Sequence, residues 1–389
     1  MRIAWITRDA SAVGGAERYV FRAARLLAAM VETSILFYDV TRPFDVGFAS
    51  AFQGAFPLVD IARQIPDVAP DLIFLHQWPG RGIVEALLGA GVPVVRFLHD
   101  HRLFCLREHK VTALGQRPCT RTTGLFCYLC PGFVRRSRDW PGMQFATLLD
   151  LDRERAIHAR LDALLVPSAY LRDHAVAHGL PASLIQVLPP PVDPPAGTRV
   201  PPRDPDRILY VGALTRGKGL DVLLEAMERL PASLRLTVVG QGPQEPWFRR
   251  KAAARTLRDR VAFVGRLDPE ALDVEYRSVL CLVVPSRQPE TFGLVGPEAL
   301  IRGTPVIASR IGGVGEWLQD GVTGLAVPAC DPAALARAIR SLRDDPERAR
   351  ALGEAGRALV AQRFRPDLHR ERLMNLLSAV AARNTRGAT

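Results

Sequence analysis

Between Leu188 and Asp206 the chain reads LPPPVDPPAGTRVPPRDPD, with eight prolines in nineteen residues. No helix or central strand can run through such a stretch, because each proline fixes φ and lacks the amide hydrogen that a helical turn or a sheet ladder needs. The segments on its two sides are therefore expected to fold as separate bodies. The length of 389 residues permits this, since a single core stops growing near about 250–300 residues. Both halves alternate short β-branched runs with amphipathic helical patterns, the signature of a parallel sheet covered by helices. In the first half the pattern places strands at 2–7, 33–38, 71–76, 93–99, 163–167 and 185–188, with helices near 16–30, 82–90, 144–161 and 168–178. In the second half strands fall at 207–211, 234–239, 261–264, 281–284, 305–308 and 324–327. Helices there fall near 219–229, 244–257, 269–278, 296–302, 312–318, 332–344 and 346–364, with a last one over 366–382. The expected fold class is α/β, with two doubly wound Rossmann-like domains facing across a cleft. Their expected bounds are 1–190 and 207–365, with a proline-rich linker at 191–206 and a C-terminal helix at 366–389 packing back toward the first domain.

Composition removes several classes of function. Apolar residues make up 48% and charged residues 23% of the chain, ordinary for a soluble globular protein. No run approaches the roughly 20 apolar residues of a membrane span. The opening MRIAWITRDA is closed by Arg8 and Asp9, too early for a secretory leader, so the chain reads as cytoplasmic with reduced thiols. The net charge of +11 is not gathered into a basic stripe interleaved with aromatics, so no nucleic-acid partner is expected. One segment differs: residues 96–138 carry nine basic side chains against Asp100 and Glu108. That excess fits a solvated loop in an arginine-rich chain, and it also fits a surface that meets an anionic membrane face or an acidic acceptor. Of the 51 basic residues only Lys110, Lys218 and Lys251 are lysines.

One of those lysines lies in ILYVGALTRGKGLDVLLEAM. There Gly212, Gly217 and Lys218 fit the phosphate-cradling pattern G-x-x-x-x-G-K. Gly219 stands where a P-loop carries the Ser or Thr that holds Mg²⁺, and neither LRLTVVG nor CLVVPS ends in an acidic residue. A P-loop NTPase therefore fails twice. The stretch PSRQPETFGLVGPEAL sets Glu290 in a loop after a strand and Glu298 in the first turn of a helix, where Pro297 is a start signal. Carboxylates in such places accept charge-assisted hydrogen bonds from ribose or sugar hydroxyls. The amides of Thr291, Phe292, Gly293 and Leu294 at the helix end suit phosphate. On these residues alone, a helix-capping glutamate beside a solvated one fits as well.

Other features have two readings each. Asp150 and Asp152 spell D-x-D, but in a helical pattern they point to different faces. Gly240 with Gly242, and the run Gly312 to Gly315, are incomplete dinucleotide fingerprints that read as turns. His76 ends a strand, where it either lines a cleft or is structural. Cys105, Cys119, Cys127 and Cys130 fall within 26 residues. They fit either a structural zinc site built on the Cys127-Tyr-Leu-Cys130 knuckle or reduced thiols that pack a loop. Cys281 and Cys330 read as core.

Taken together, VGGAERYV, VGALTRGKG, VPSRQPETFGLVGPEALIRGTPVIAS and GGVGEWLQDGVTGLAV occur in an order and spacing that resembles the retaining glycosyltransferases of family 4, across essentially the whole chain. That resemblance implies a GT-B fold, and transfer of a sugar from a nucleoside diphosphate sugar to an acceptor hydroxyl with no catalytic metal. It implies bacterial polysaccharide, lipopolysaccharide or other glycoconjugate biosynthesis, with a saccharide or lipid-linked acceptor and peripheral association at the inner membrane face. Lys218 would contact the donor diphosphate, Glu298 the ribose and Glu290 the hydroxyls of the transferred sugar. Phe292 and Gly293 would supply amides, with Thr291 and Leu294 beside them. Gly14 and Gly15 would allow close approach of donor or acceptor, and His99, ending PVVRFLH, matches the active-site histidine. Ala213 departs from the pattern, since the family often has Arg there; Arg216 is the candidate replacement. A nucleotide-sugar epimerase or a phosphorylase of the same fold is the alternative activity.

Overall fold

The computed structural model describes residues 1–11, 14–77, 81–130, 132–136, 143–195, 201–253 and 256–387. Part of the proline-rich stretch, 196–200, and Arg138 of the basic segment lie outside the described residues. The chain divides into two compact units, one of Met1–Glu108, Thr122–Pro190 and Pro366–Thr389, the other of His109–Arg121 and Pro191–Arg365.

In chain order the first unit contains β1 (Arg2–Ile6), α1 (Gly15–Leu27), β2 (Thr33–Tyr38), α2 (Val46–Ala49), β3 (Gly54–Pro57), α3 (Ile61–Val68), β4 (Leu72–Leu75), α4 (Arg81–Gly89) and β5 (Val94–Phe97). After these come α5 (Phe126–Leu129), β6 (Val134–Arg136), β7 (Met143–Phe145), α6 (Leu148–His158), β8 (Ala163–Val166), α7 (Ala169–Ala177) and β9 (Ile185–Val187). Seven strands form one parallel sheet in the order β3-β2-β1-β4-β5-β8-β9, and β6 pairs with β7 as an antiparallel hairpin. Helix α1 shows why the pattern works: Ala16, Tyr19, Val20, Ala23, Ala24 and Leu27 recur at helical spacing, and all are buried. On the sheet, Trp5, Phe74 and Phe97 lie in the same core.

The second unit contains β10 (Asp204–Val211), α8 (Leu220–Met227), β11 (Arg235–Val239), α9 (Glu245–Ala252), β12 (Val261–Gly265), α10 (Pro269–Arg277), β13 (Val279–Val284), α11 (Val295–Leu300), β14 (Val306–Ser309), β15 (Leu325–Val327), α12 (Pro332–Asp344) and α13 (Pro346–Arg363). Its six strands are parallel in the order β12-β11-β10-β13-β14-β15. Every residue of β13 is buried, as a strand covered on both faces requires. The last helix, α14 (Pro366–Gly387), belongs to the first unit, where Leu373 and Leu377 enter the core beside Trp5 and Tyr19.

In each sheet the strand order reverses direction once, between β1 and β4 and between β10 and β13. Loops at the carboxyl ends of such strands diverge and leave a crevice, the usual ligand position in open α/β sheets.

Two expectations are corrected here. The helix expected over 312–318 is only a short 3₁₀ turn, Gly313–Glu316. Gly312 has φ +64 and bridges Glu290, and the amide of Gly313 donates to the Glu290 carbonyl at 2.7 Å. That backbone is held by the neighbouring loop and cannot begin an α-helix. Helix α11 starts at Val295 rather than at Pro297.

Candidate active site

At the switch point of the second sheet, β10 runs into the glycine loop and β13 into the loop that carries Glu290. A 3₁₀ turn, Arg216–Lys218, ends at Gly219, whose φ is +72. A side chain at Gly219 would also overlap the carbonyl oxygen of Pro285, so only glycine lets the two loops touch here. The amides of Arg287 and Gln288 both donate to the Gly217 carbonyl at 2.9 Å. This knitting places Lys218 Nζ 2.8 Å from each carboxylate oxygen of Glu290. Ser286 Oγ donates to the same carboxylate at 2.5 Å. Glu290 is 7% exposed, so the pair acts in a medium where charge counts for more than in water.

The surrounding residues fix that pair. Trp317 Nε1 donates to the Phe292 carbonyl at 2.6 Å, and its ring fills the space that a side chain on Gly296 would need. Gly293 has φ +82. Glu298, in the first turn of α11, accepts from Tyr276 Oη at 3.1 Å. Arg302 donates to the Glu298 carbonyl and pairs with Asp273. Thr291 and Leu294 are half-buried on either side of Phe292 and Gly293. Arg216 lays its guanidinium 5.0 Å over the Trp247 ring and donates its backbone amide to Gln244. Burial, with Glu290 and Asp221 nearby, pushes the Tyr210 phenol far above its ordinary value. Sequence reasoning does not single out Ser286, Tyr276, Trp317 or Gln288. Ser286 alone has a signal there, since it stands in PSRQPE between strand and glutamate.

In the first unit the loops after β1, β4 and β5 bring a second group together. His99, past the end of β5, lies with Nε2 3.1 Å from His76 Nδ1. The His76 ring is buried and stacks on Trp5 at 5.6 Å and 6°. Burial, then the neighbouring Arg96, pushes the His99 imidazole down to about 3. His76 is likewise held well below the ordinary range, chiefly by burial. Tyr19 of α1 packs edge-on against His99, with its hydroxyl 3.3 Å from His369 Nε2. His369 Nδ1 lies 2.8 Å from the Pro189 carbonyl. A carbonyl only accepts, so Nδ1 carries the proton and Nε2 accepts from Tyr19. Gly14 caps α1, and a side chain there would overlap the buried Glu17 carboxylate. At Gly15 a side chain would meet nothing, so no protein neighbour requires glycine there.

The zinc reading of the four cysteines is not met. Among the described residues no three His, Cys, Asp or Glu side chains are gathered so that they could hold a metal ion. Cys119 belongs to the 109–121 stretch of the second unit, whereas Cys105, Cys127 and Cys130 belong to the first. Asp150 forms a capping box with Thr147 at the start of α6, and Asp152 pairs with Arg155. Both carboxylates of the D-x-D match are thus occupied locally. The scarce lysines are all engaged: Lys110 is buried on the Arg121 carbonyl, Lys251 reaches Glu225 at 3.3 Å, and Lys218 holds Glu290.

Comparison with known proteins agrees with this layout. Residues 13–195 match the model of Glycosyltransferase Family 4, and residues 198–359 match that of glycosyl transferases group 1. The chain belongs to the family 4 glycosyltransferases. Glycogen synthase of Mycobacterium tuberculosis is 36% identical over 173 residues, which cover 44% of this chain and 42% of that one. A D-inositol 3-phosphate glycosyltransferase of Xylanimonas cellulosilytica is 34% identical, with 54% and 55% covered. A GDP-mannose-dependent alpha-(1-6)-phosphatidylinositol monomannoside mannosyltransferase of Mycolicibacterium smegmatis is 30% identical, with 58% and 64% covered. The matched stretches thus span roughly half the length of these relatives. Among solved structures, sucrose-phosphate synthase from Thermosynechococcus elongatus superposes with a TM-score of 0.72 at 25% identity over 100% of both chains. Anabaena HepE, in complex with UDP and glucose, superposes at 0.75 with 17% identity, covering 97% and 99%. These likenesses establish the GT-B fold class.

Proposed function

We propose that this protein is a retaining glycosyltransferase, moving a sugar from a nucleoside diphosphate sugar to a hydroxyl of a saccharide or lipid-linked acceptor in bacterial glycoconjugate biosynthesis. One observation carries the reading: a lysine and a glutamate 72 residues apart meet at 2.8 Å at the switch point of a parallel sheet. A sugar nucleotide needs both charges there. As the anomeric bond breaks, the departing diphosphate gains negative charge, and Lys218 stabilises it more in the transition state than in the ground state. Glu290 accepts from the sugar hydroxyls, Glu298 from the ribose, and the amides at Phe292 and Gly293 turn toward the phosphates. His99 serves the reacting sugar as a neutral imidazole, since burial keeps it unprotonated at neutral pH. No carboxylate is assigned as a nucleophile. Attack comes from the leaving group's own face, and the departing phosphate takes the proton of the acceptor hydroxyl. The relatives named for GDP-mannose-dependent mannosyl transfer and for sucrose-phosphate synthesis support a sugar-transfer chemistry.

Thermal stability with UDP, GDP, ADP, dTDP and ATP, each with Mg²⁺ and with chelator, tests the reading. A diphosphate at about 100 times its Kd adds about 2.7 kcal/mol. One nucleoside diphosphate should stabilise the protein regardless of chelation, and that nucleotide names the base of the donor. Stabilisation by ATP alone, and only with Mg²⁺, would overturn the assignment of the glycine loop. Sugar nucleotide converted without acceptor to an epimer would replace transfer by epimerisation.

A further inference from the structure

Helix α10 grips the chain around Glu298 at two points. Asp273 and Tyr276 stand three residues apart on it and so share a face. Asp273 Oδ1 accepts from Arg302 Nε at 2.6 Å, and its other oxygen pairs with Arg277 at 2.8 Å. Arg302 Nη1 in turn donates to the Glu298 carbonyl at 2.7 Å, and its guanidinium lies 5.3 Å from the centre of the Tyr276 ring. Tyr276 Oη donates to Glu298 Oε2 at 3.1 Å. The backbone of Glu298 and one of its carboxylate oxygens are thus both held from α10. Among the described residues no other donor reaches the Glu298 side chain.

The tyrosine fixes the glutamate, and not the reverse. Tyr276 is 1% exposed and lies in the same core as Leu209, Val279 and Leu300. Thr304 Oγ1 donates to its carbonyl at 2.5 Å. These contacts hold its ring and backbone without any help from Glu298. Glu298 is only half-buried, and a glutamate side chain has three torsions to settle before it can present its oxygens in one place. A buried phenol needs an acceptor, and a backbone carbonyl would serve it as well. Here the acceptor is the carboxylate that the transferase reading assigns to the ribose. The bond therefore also decides where the second oxygen, Oε1, stands.

We propose that Tyr276 is a positioning residue that gives the site its preference for a ribonucleotide donor, by holding the Glu298 carboxylate in the orientation that accepts the ribose hydroxyls. This rests on the assignment of Glu298 to the ribose, and the experiment keeps the two apart. UDP, GDP and ADP are each titrated calorimetrically beside the 2′,3′-dideoxy form of the same nucleotide, into wild type, Tyr276→Phe, Glu298→Ala and the double variant. Wild type should bind one ribonucleotide about a hundredfold more tightly than its dideoxy form, about tenfold for each charge-assisted hydrogen bond removed. Tyr276→Phe keeps the ring beside Arg302 and removes only the hydroxyl. It should weaken the ribonucleotide about five- to tenfold, the effect of having to order one side chain on binding. The dideoxy form should bind as it does to wild type, which also shows that the variant is folded. In the Glu298→Ala chain the same substitution should change nothing, whereas damage to the core would persist there. A Tyr276→Phe chain that weakens both forms alike, or that adds its full loss to that of Glu298→Ala, overturns the proposal and leaves the ribose assignment standing. Wild type that prefers neither form of any of the three nucleotides overturns both.

Discussion

Replacing Lys218 by methionine separates the structural from the chemical role of the central pair. The methionine keeps most of the side-chain volume and removes the cation 2.8 Å from both oxygens of Glu290. The carboxylate then keeps the Ser286 hydroxyl as a donor, at a site almost closed to water. Stranding one member of a fully buried pair costs about 3–5 kcal/mol. The Lys218 side chain is 29% exposed, and the wetter setting reduces the expected loss to about 2 kcal/mol. For a unit of this size that is a fall of about 4–8 °C in melting temperature. Adding Glu290→Gln removes the stranded charge and should recover most of the stability. Turnover behaves differently: both the single and the double variant should lose about 10²–10³-fold, because the diphosphate has lost its cation in each. Calorimetry and nucleoside diphosphate release, measured on the same preparations, read the two effects. A double variant that regains turnover along with stability would refute the argument, since the lysine would then be structural only. So would a single variant within threefold of wild type.

Three further outcomes are expected on the same geometry. Gly219→Ala must place a side chain at φ +72 and into the Pro285 carbonyl; it should cost at least about 2 kcal/mol and abolish diphosphate stabilisation, and a variant that melts with wild type would show that the loops are not knit there. Burial holds His158 and His369 at about 3 and about 4, so the folded chain declines protons that the unfolded chain binds near 6.5. Stability is then full above about pH 6.5 and falls as the pH drops toward 4, by roughly 2 kcal/mol for each imidazole at pH 5; melting temperatures across that range, with His369→Asn flattening part of the slope, check the sign. His76→Phe keeps the stack on Trp5 but removes the bond to His99; turnover should drop about tenfold with donor KM unchanged, and a change confined to KM would place His76 outside the chemistry.

Much of the fold is legible in the sequence. Strand Thr33–Tyr38 and helix Pro332–Asp344 fall where the pattern places them, because their apolar periods are unbroken and their ends are marked by turn or proline signals. The edge strand Gly54–Pro57 and helix Ile61–Val68 escape it. The first is four residues long with no fully buried position, and the second contains Pro66, which argues against a helix on sequence grounds. The turn at 313–316 reads as a helix in the pattern because the conformation of Gly312 is imposed by Glu290, a residue in another loop.

The chemistry is legible in type and not in arrangement. E-x₇-E and the glycine-lysine loop identify residues suited to hydroxyls and phosphate, since those capacities belong to the side chains themselves. Closeness in sequence does not by itself gather the four cysteines, and among the described residues no three metal-ligating side chains come together. Local periodicity determined which faces would be buried, and proline and glycine determined where elements stop. Only the tertiary structure decided which residues meet: Lys218 with Glu290, His76 with His99, and Tyr19 with His369 across 350 positions. The reason is physical. Burial is a property that each segment carries in its own pattern, whereas a contact between distant side chains depends on strand order and loop path, and those are settled only when the whole sheet packs.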